Sequence, residues 1–344
     1  MSVWVALALA LLFAALLWRS RRNYRALPEI QQAGDAGSKP PDCMVVIPAR
    51  NEEGNIGEAV RSLPPDSVIV VDDFSEDKTA EEARGAGAGV LAAPALVEGA
   101  AGKSNACMEG ARVLTSRWIL FADADTRFEP GALDTLVAAA EAGQIDFLSV
   151  YLKPEFHGIK ESAISPYGVA LYFCGIDPRA DPASAFSGQC VLVKRGPYEF
   201  VGGHKALLSY LCEDVKMAAL AQRHRLKFAV VRAPKLGHVR IQPDDFERNA
   251  SRFVLVSLWM GARIAFTALA WALWLPELIF LIVRQQFVAA VAWALLPSVL
   301  LGPWYGWSRA LLAPVGIHAI LPRLFHGALG AMTNRHFEWK GRVI

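Results

Sequence analysis

At 344 residues, 53% hydrophobic and with a mean hydropathy of +0.28, the chain has room for one large domain plus membrane-embedded segments and is too apolar for a purely soluble protein. A formal net charge of +2, with no basic stripe beyond short clusters flanking the apolar ends, excludes nucleic acid as a partner. The five cysteines (Cys43, Cys107, Cys174, Cys190 and Cys212) are odd in number, form no Cys-x-x-Cys pair and mostly fall among apolar residues, which excludes a disulfide framework and reads as the reduced core of a cytoplasmic domain.

Val3 to Trp18 is an uninterrupted apolar run closed by Arg19, Arg21, Arg22 and Arg25. No small-residue cleavage site comes after it, so it predicts a membrane anchor over residues 1–20, with the N-terminus outside and the residues after Arg19 in the cytoplasm. Residues 21–41 lead away from the anchor, and Gln31 to Pro41, rich in Gly, Ser, Ala and Pro, reads as a linker.

The globular part, residues 42–252, opens on Cys43-Met44-Val45-Val46-Ile47, a short buried strand running into Pro48-Ala49-Arg50-Asn51-Glu52-Glu53. Asn51 suits the cap of a helix reaching about Ser62, with Glu52 and Glu53 in its first turn. A second strand, Ser67 to Val71, ends on Asp72 and Asp73, and Ser75 and Asp77 precede a helix from Lys78 to Arg84. Two successive strand-loop-helix units with polar strand ends predict a right-handed parallel α/β sheet. Gly99-Ala100-Ala101-Gly102-Lys103-Ser104-Asn105 then delivers a lysine to a helix start. Glu98 stands where a Walker loop needs its first glycine, and no Gly-x-Gly-x-x-Gly follows the first strand, so neither loop type is present.

In Arg117-Trp118-Ile119-Leu120-Phe121-Ala122-Asp123-Ala124-Asp125 a doubly buried strand stops abruptly at two carboxylates separated by one alanine. Ligands of open α/β sheets bind outside the C-terminal strand ends, and a hard divalent cation takes oxygen ligands and bridges to phosphate. The pair therefore suits the diphosphate of an activated donor. Taken alone, it is equally a polar strand end, with Asp125 capping the turn into Arg127-Phe128-Glu129-Pro130. Further on, Glu213 and Asp214 stand before the helix-forming run Val215 to Ala221, where the helix dipole favours ionised carboxylates.

After Arg252 the composition turns apolar. Ile264 to Val283 carries one ionisable residue, Glu277, and Phe287 to Trp307 is a second long run; each is close to the ~20 residues that a helical span requires. Arg284, Gln285 and Gln286 alone separate them, which predicts a hairpin with spans over 264–283 and 287–307 and its base on the cytoplasmic side. Glu277 is costly at membrane depth, which reads equally as a functional residue or as a partner of Arg284 on the same helix, and no role is assigned to it. Residues 310–332, broken by Pro314, His318, Pro322, Arg323 and His326, read as an interfacial or re-entrant helix before a basic tail.

Val45-Val46-Ile47-Pro48-Ala49-Arg50-Asn51-Glu52, Val70-Val71-Asp72-Asp73-Phe74-Ser75-Glu76-Asp77, Gly102-Lys103 and Asp123-Ala124-Asp125 resemble, in order and spacing, the family-two inverting glycosyltransferases of GT-A fold. Phe186-Ser187-Gly188-Gln189, Gly202-Gly203-His204, Glu213-Asp214 and Trp339-Lys340-Gly341-Arg342 are similar to the membrane-bound branch that includes hopene-associated and carotenoid glycosyltransferases. The resemblance implies a Rossmann-like α/β domain that binds a nucleotide-sugar donor. Pro48, Ala49, Glu52 and Asp73, with Asp72, would line the uridine; Lys103 would meet the diphosphate; Gly188 and Gln189 would lie near the sugar. Asp123 would face the ribose and metal, and Asp125 would hold the metal, Mg2+ or Mn2+. Asp214 would be the base that takes the acceptor hydroxyl's proton, with Glu213 beside it. His204 and His238 are second-rank candidates for acceptor or phosphate contacts, and each reads equally well as structural. Processive synthases of the superfamily carry Gln-x-x-Arg-Trp after the base; Asn249-Ala250-Ser251-Arg252-Phe253 changes both ends of it, although Arg252 remains available to the leaving group.

The sequence thus describes a multi-pass protein of a bacterial-type inner membrane, its cytoplasmic domain moving a UDP-linked sugar to a lipid hydroxyl such as that of a hopanoid, carotenoid, other polyprenyl-type lipid or glycerolipid. A polysaccharide synthase and a non-catalytic membrane scaffold of the same fold are the alternatives.

Overall fold

The computed structural model describes residues 3–32, 42–210, 212–242, 258–332, 338–339 and 342–343. The chain divides into two compact units: Met1–Ala26 with Phe156–Asp181 and Ile241–Phe337, and Leu27–Glu155 with Pro182–Arg240 and Glu338–Ile344.

The first unit is helical. Helix Val3–Ala26 lies against helix Gly158–Gly175 and donates side-chain hydrogen bonds to carbonyls near the end of that helix. Ser20 Oγ donates to Ala170 O at 2.7 Å, and Asn23 Nδ2 donates to Phe173 O and Ile176 O at 2.9 and 2.8 Å. The sequence pattern kept residues 156–181 inside the globular part, whereas they pack here with the two apolar ends.

Among the described residues one helical stretch, Gly261–Val283, is long and apolar enough to cross a membrane by length and composition, and Phe287–Gly302 is a shorter apolar helix. The helices on either side of Arg284 fold back on each other as a helical hairpin. Trp274 Nε1 donates to Trp293 O at 3.0 Å and Trp293 Nε1 to Trp274 O at 2.8 Å, so each indole N–H closes on the other helix's backbone. Residues 310–332 are less broken than expected, with one helix over Ala313–Met332 that accommodates Pro322. The expected Glu277–Arg284 pair does not form: Glu277 is buried without a hydrogen-bond partner among the described residues, and Arg284 lies over the Phe280 ring.

The second unit is built on a seven-stranded sheet. Strands β1 (Cys43–Ala49), β2 (Val68–Asp72), β3 (Gly89–Ala92) and β4 (Trp118–Ala122) alternate with helices Ile56–Arg61, Thr79–Gly85 and Gly102–Val113 and run parallel. Beyond a short strand β5 (Thr126–Phe128) come β6 (Phe147–Tyr151), β7 (Lys153–Glu155), β8 (Cys190–Lys194), β9 (Phe228–Arg232) and β10 (Gly237–Arg240). The order is β3-β2-β1-β4-β8-β6-β9, and β8 is antiparallel to both neighbours, so the sheet is mixed rather than wholly parallel. Every residue of β4 and of β6 is buried, as central strands covered on both faces require. Where a turn was expected after Asp125, β5 instead joins β10 and β7 in a three-stranded sheet.

The helix expected from Asn51 begins only at Ile56. Asn51 takes a left-handed φ of +50°, a conformation that asparagine tolerates, and its side chain bonds the amide of Glu76 at 2.9 Å instead of capping a helix. Helix Gly102–Val113 packs onto β1 and β2 through Gly110, where a Cβ would come within 2.4 Å of Val46 Cγ1 and 3.0 Å of Val71 Cγ2. Gly110→Ala is expected to lower the stability of this unit by about 1–3 kcal/mol through overpacking, despite alanine's better helix propensity, as read by denaturant unfolding.

Candidate active site

The strand ends converge because β8 runs the opposite way to β4. In the register Ala122↔Cys190, the residue after β4 meets the residue before β8, and Asp123 N donates to Gln189 O at 3.1 Å. The incoming loop is held from β6: Ser149 Oγ donates to Ser187 O at 3.0 Å and accepts from Ser187 N at 2.9 Å, while Tyr151 OH donates to Ala185 O at 2.6 Å. Gly188 is therefore presented at a fixed position.

Around it stand Lys103, from the first turn of helix Gly102–Val113, and Glu213 and Asp214, from the first turn of helix Glu213–Arg223. Lys103 Nζ lies 2.6 Å from Asp123 Oδ1, 3.5 Å from Glu213 Oε1 and 3.2 Å from Gly188 O. On the other side of the same residue, Gly188 N donates to Asp214 Oδ2 at 2.9 Å, and Val215 N donates to Asp214 Oδ1 at 2.8 Å. A Cβ on Gly188 would sit 3.2 Å from both Lys103 Nζ and Glu213 Oε1 and 3.4 Å from Asp214 Cβ, which explains the glycine.

Burial works against the charge on Lys103, but Asp123 first and Glu213 second outweigh it and hold the ammonium protonated well above the ordinary lysine range. Cys107 on the same wall is kept a neutral thiol by its burial. Asp214 is half-buried whereas Glu213 is buried, so the two adjacent carboxylates differ in their access to an incoming molecule.

The second group of expected residues lies at the ends of β1 and β2. Pro48 and Ala49 close β1 beyond its last β4-paired residue, Val46, and are paired with Val71 and Asp72 of β2. Asp73 N donates to Ala49 O at 2.8 Å. Asp72 Oδ1 is buried without a hydrogen-bond partner among the described residues, an acceptor available to a ligand. Glu52 accepts from Asn55 Nδ2 at 3.2 Å, and its amide donates to Thr79 Oγ1 at 2.7 Å.

Asp125 follows β4 by three residues, and its carbonyl accepts from Arg240 N at 3.3 Å, which ties it to the small sheet. His238, in β10, has Nε2 3.5 Å from Glu155 Oε2. Arg252 lies outside the described residues. His204 is buried: its Nδ1 is 2.8 Å from Tyr198 OH and its ring meets Phe121 edge-on, so Tyr198 takes up one of the ring nitrogens considered for an acceptor or phosphate.

Arg50 was missed. It is buried, and its Nη1 donates to Asp73 O at 2.7 Å and Phe74 O at 2.9 Å, which fixes the loop after β2 while Phe74 holds a φ of +57°. Its position between a buried strand and an acidic stretch gave no sign that the guanidinium turns inward.

Residues 44–169 match the family described as Glycosyl transferase family 2. The chain is 28% identical over 216 residues to the 4,4'-diaponeurosporenoate glycosyltransferase of Staphylococcus aureus strain USA300, covering 59% of this chain and 57% of that protein. The same-named protein of the bovine RF122/ET3-1 strain is 30% identical over 188 residues, covering 51% and 50%. The chain thus spans little more than half the length of the curated relatives it matches. Among solved structures it is similar to a mannosyltransferase from Pyrobaculum calidifontis in complex with GDP-Man and Mn2+, with a TM-score of 0.54 at 16% identity over 96% of this chain and 99% of that one, a likeness of GT-A fold.

Burial, and next the Lys103 charge, push the His204 imidazole from its ordinary 6.5 down to about 3. Between those values the unfolded chain holds a proton that the folded chain lacks, so stability is lost as pH falls from 6.5 toward 3. His204→Gln is expected to flatten that part of a Tm-against-pH profile, and an unchanged slope would assign it to other groups.

Proposed function

We propose that the protein transfers a sugar, with inversion, from a nucleotide diphosphate, UDP-linked by the sequence resemblance, to a hydroxyl of a lipid-soluble acceptor. One observation carries this reading: the peptide of Gly188 joins the donor-side lysine to the candidate base, accepting from Lys103 Nζ at 3.2 Å and donating to Asp214 Oδ2 at 2.9 Å. A transferase needs a cation for the departing diphosphate and a carboxylate for the attacking hydroxyl, a few ångströms apart across the anomeric carbon. In this reading Pro48, Ala49, Glu52, Asp72 and Asp73 line the nucleoside, and Gly188 and Gln189 border the sugar. Asp214 takes the acceptor proton. Its Oδ2 and Oδ1 accept the backbone N–H groups of Gly188 and Val215, which fix the orientation of the carboxylate.

Among the described residues no three His, Cys, Asp or Glu side chains come together as a metal cage. Two carboxylates at one strand end nevertheless fit a Mg2+ or Mn2+ ion, which completes its shell with phosphate oxygens and water. Asp125 and Asp123 would hold the ion. When bound, it would neutralise charge developing on the leaving diphosphate.

For the acceptor, support comes from the staphylococcal relatives named for 4,4'-diaponeurosporenoate and from the apolar stretch Gly261–Val283, which suits a protein that works at a bilayer. We read the helical hairpin and the N-terminal helix as membrane segments and the sheet unit as cytoplasmic.

Asp214→Asn keeps the shape and one acceptor but abolishes basicity, so turnover is expected to fall by ~10²–10⁴-fold with donor affinity nearly unchanged. Glu213→Gln should retain substantially more turnover. The reverse ranking, or loss of donor binding by Asp214→Asn in calorimetry, would move the base elsewhere. Nucleotide binding and transfer should both require Mg2+ or Mn2+ and be lost in Asp125→Ala without loss of folding; full turnover in excess EDTA would sink the metal assignment.

A further inference from the structure

Glu213 needs an explanation that fold stability does not supply. Its side chain is 7% exposed, against 25% for Lys103 and 30% for Asp123. Burying a carboxylate opposite a partly wetted lysine is costly, and an apolar residue continuous with Cys107 and Met217 on the same wall would cost less.

An ammonium has three N–H donors, and three acceptors surround Lys103 Nζ: Asp123 Oδ1 at 2.6 Å, Gly188 O at 3.2 Å and Glu213 Oε1 at 3.5 Å. Two of the three are fixed. Gly188 belongs to the loop clamped by Ser149, and Glu213 starts a helix and is packed close to Gly188, where a Cβ would come within 3.2 Å of Glu213 Oε1. Of the charged side chains Lys103, Asp123 and Glu213, Asp123 is the most exposed.

We propose that Glu213 is a positioning residue: with Gly188 O it fixes the Lys103 ammonium, so that the N–H now spent on Asp123 can pass to a diphosphate oxygen of the donor. This rests on reading Lys103 as the diphosphate contact. Without the Glu213 carboxylate, the flexible four-carbon stem of Lys103 follows Asp123 alone, and that ion pair competes with the donor for both groups.

The sign of the effect makes the proposal testable. Removing a negative charge from beside an anion site should by itself tighten diphosphate binding, whereas loss of positioning should loosen it. Calorimetry on the full chain in detergent, with UDP, GDP, CDP and ADP in the presence of Mn2+, would first find which nucleotide the wild type binds. Glu213→Gln should then weaken that nucleotide about tenfold, the size of one hydrogen bond to a charged group. Glu213→Asp, which keeps the charge but withdraws it, should weaken binding as well and decides alone if the glutamine variant does not fold. In a Lys103→Met background, Glu213→Gln should change nothing further, because the effect travels through the lysine. Wild-type binding with unchanged or tighter affinity in the variants, or an undiminished loss in the Lys103→Met background, overturns the proposal alone. A wild type that binds none of the four nucleotides overturns the donor reading and the proposal with it.

Discussion

The antiparallel insertion of β8 between β4 and β6 is the constraint from which the site follows. A wholly parallel sheet would bring only strand C-termini, with their following loops, to the crevice. Reversing one strand brings an N-terminal approach to the same edge, so the peptide bonds of Ser187, Gly188 and Gln189 arrive beside Asp123. Backbone groups have no rotamers to lose, and two serine–serine bonds from β6 hold these in place. The precision of the site therefore comes from the ladder and its clamps. The long side chains then settle around it.

Charge at the site is balanced locally. Lys103 stands between Asp123 and Glu213, and the lower effective dielectric of a partly enclosed site makes each of those contacts count for more than on an open surface. One ammonium between two carboxylates leaves a net negative charge there, which suits binding of a cation together with a diphosphate. His204 behind them contributes no charge above pH of about 3 and instead packs against Phe121 and Tyr198, a floor of aromatic groups below a polar rim.

The helical unit obeys different rules. Its apolar helices leave large side chains such as Val283, Phe287 and Val288 exposed, while Ser20, Asn23, Thr267 and Ser298 are buried. Ser20 and Asn23 cap a neighbouring helix end, and Trp274 and Trp293 exchange hydrogen bonds with each other's backbone.

Sequence alone was enough for local features: β4 and its two carboxylates, the lysine at a helix start, the acidic helix start at Glu213, the apolar hairpin and the likeness to family-two glycosyltransferases all depend on short-range pattern. It was not enough where a residue's partner is distant in the chain. Asn51 looked like a helix cap and instead bonds the loop at Glu76; Arg50 gave no sign of turning inward to two carbonyls; His204 read as a structural or ligand-contacting histidine, with nothing to name Tyr198 as its partner. The tertiary structure decided these because a polar side chain takes whichever donor or acceptor the packed chain brings within reach. It also decided the direction of β8, since a buried run such as Cys190–Lys194 reads the same whichever way it crosses the sheet, and on that direction depends the meeting of Lys103, Gly188 and Asp214.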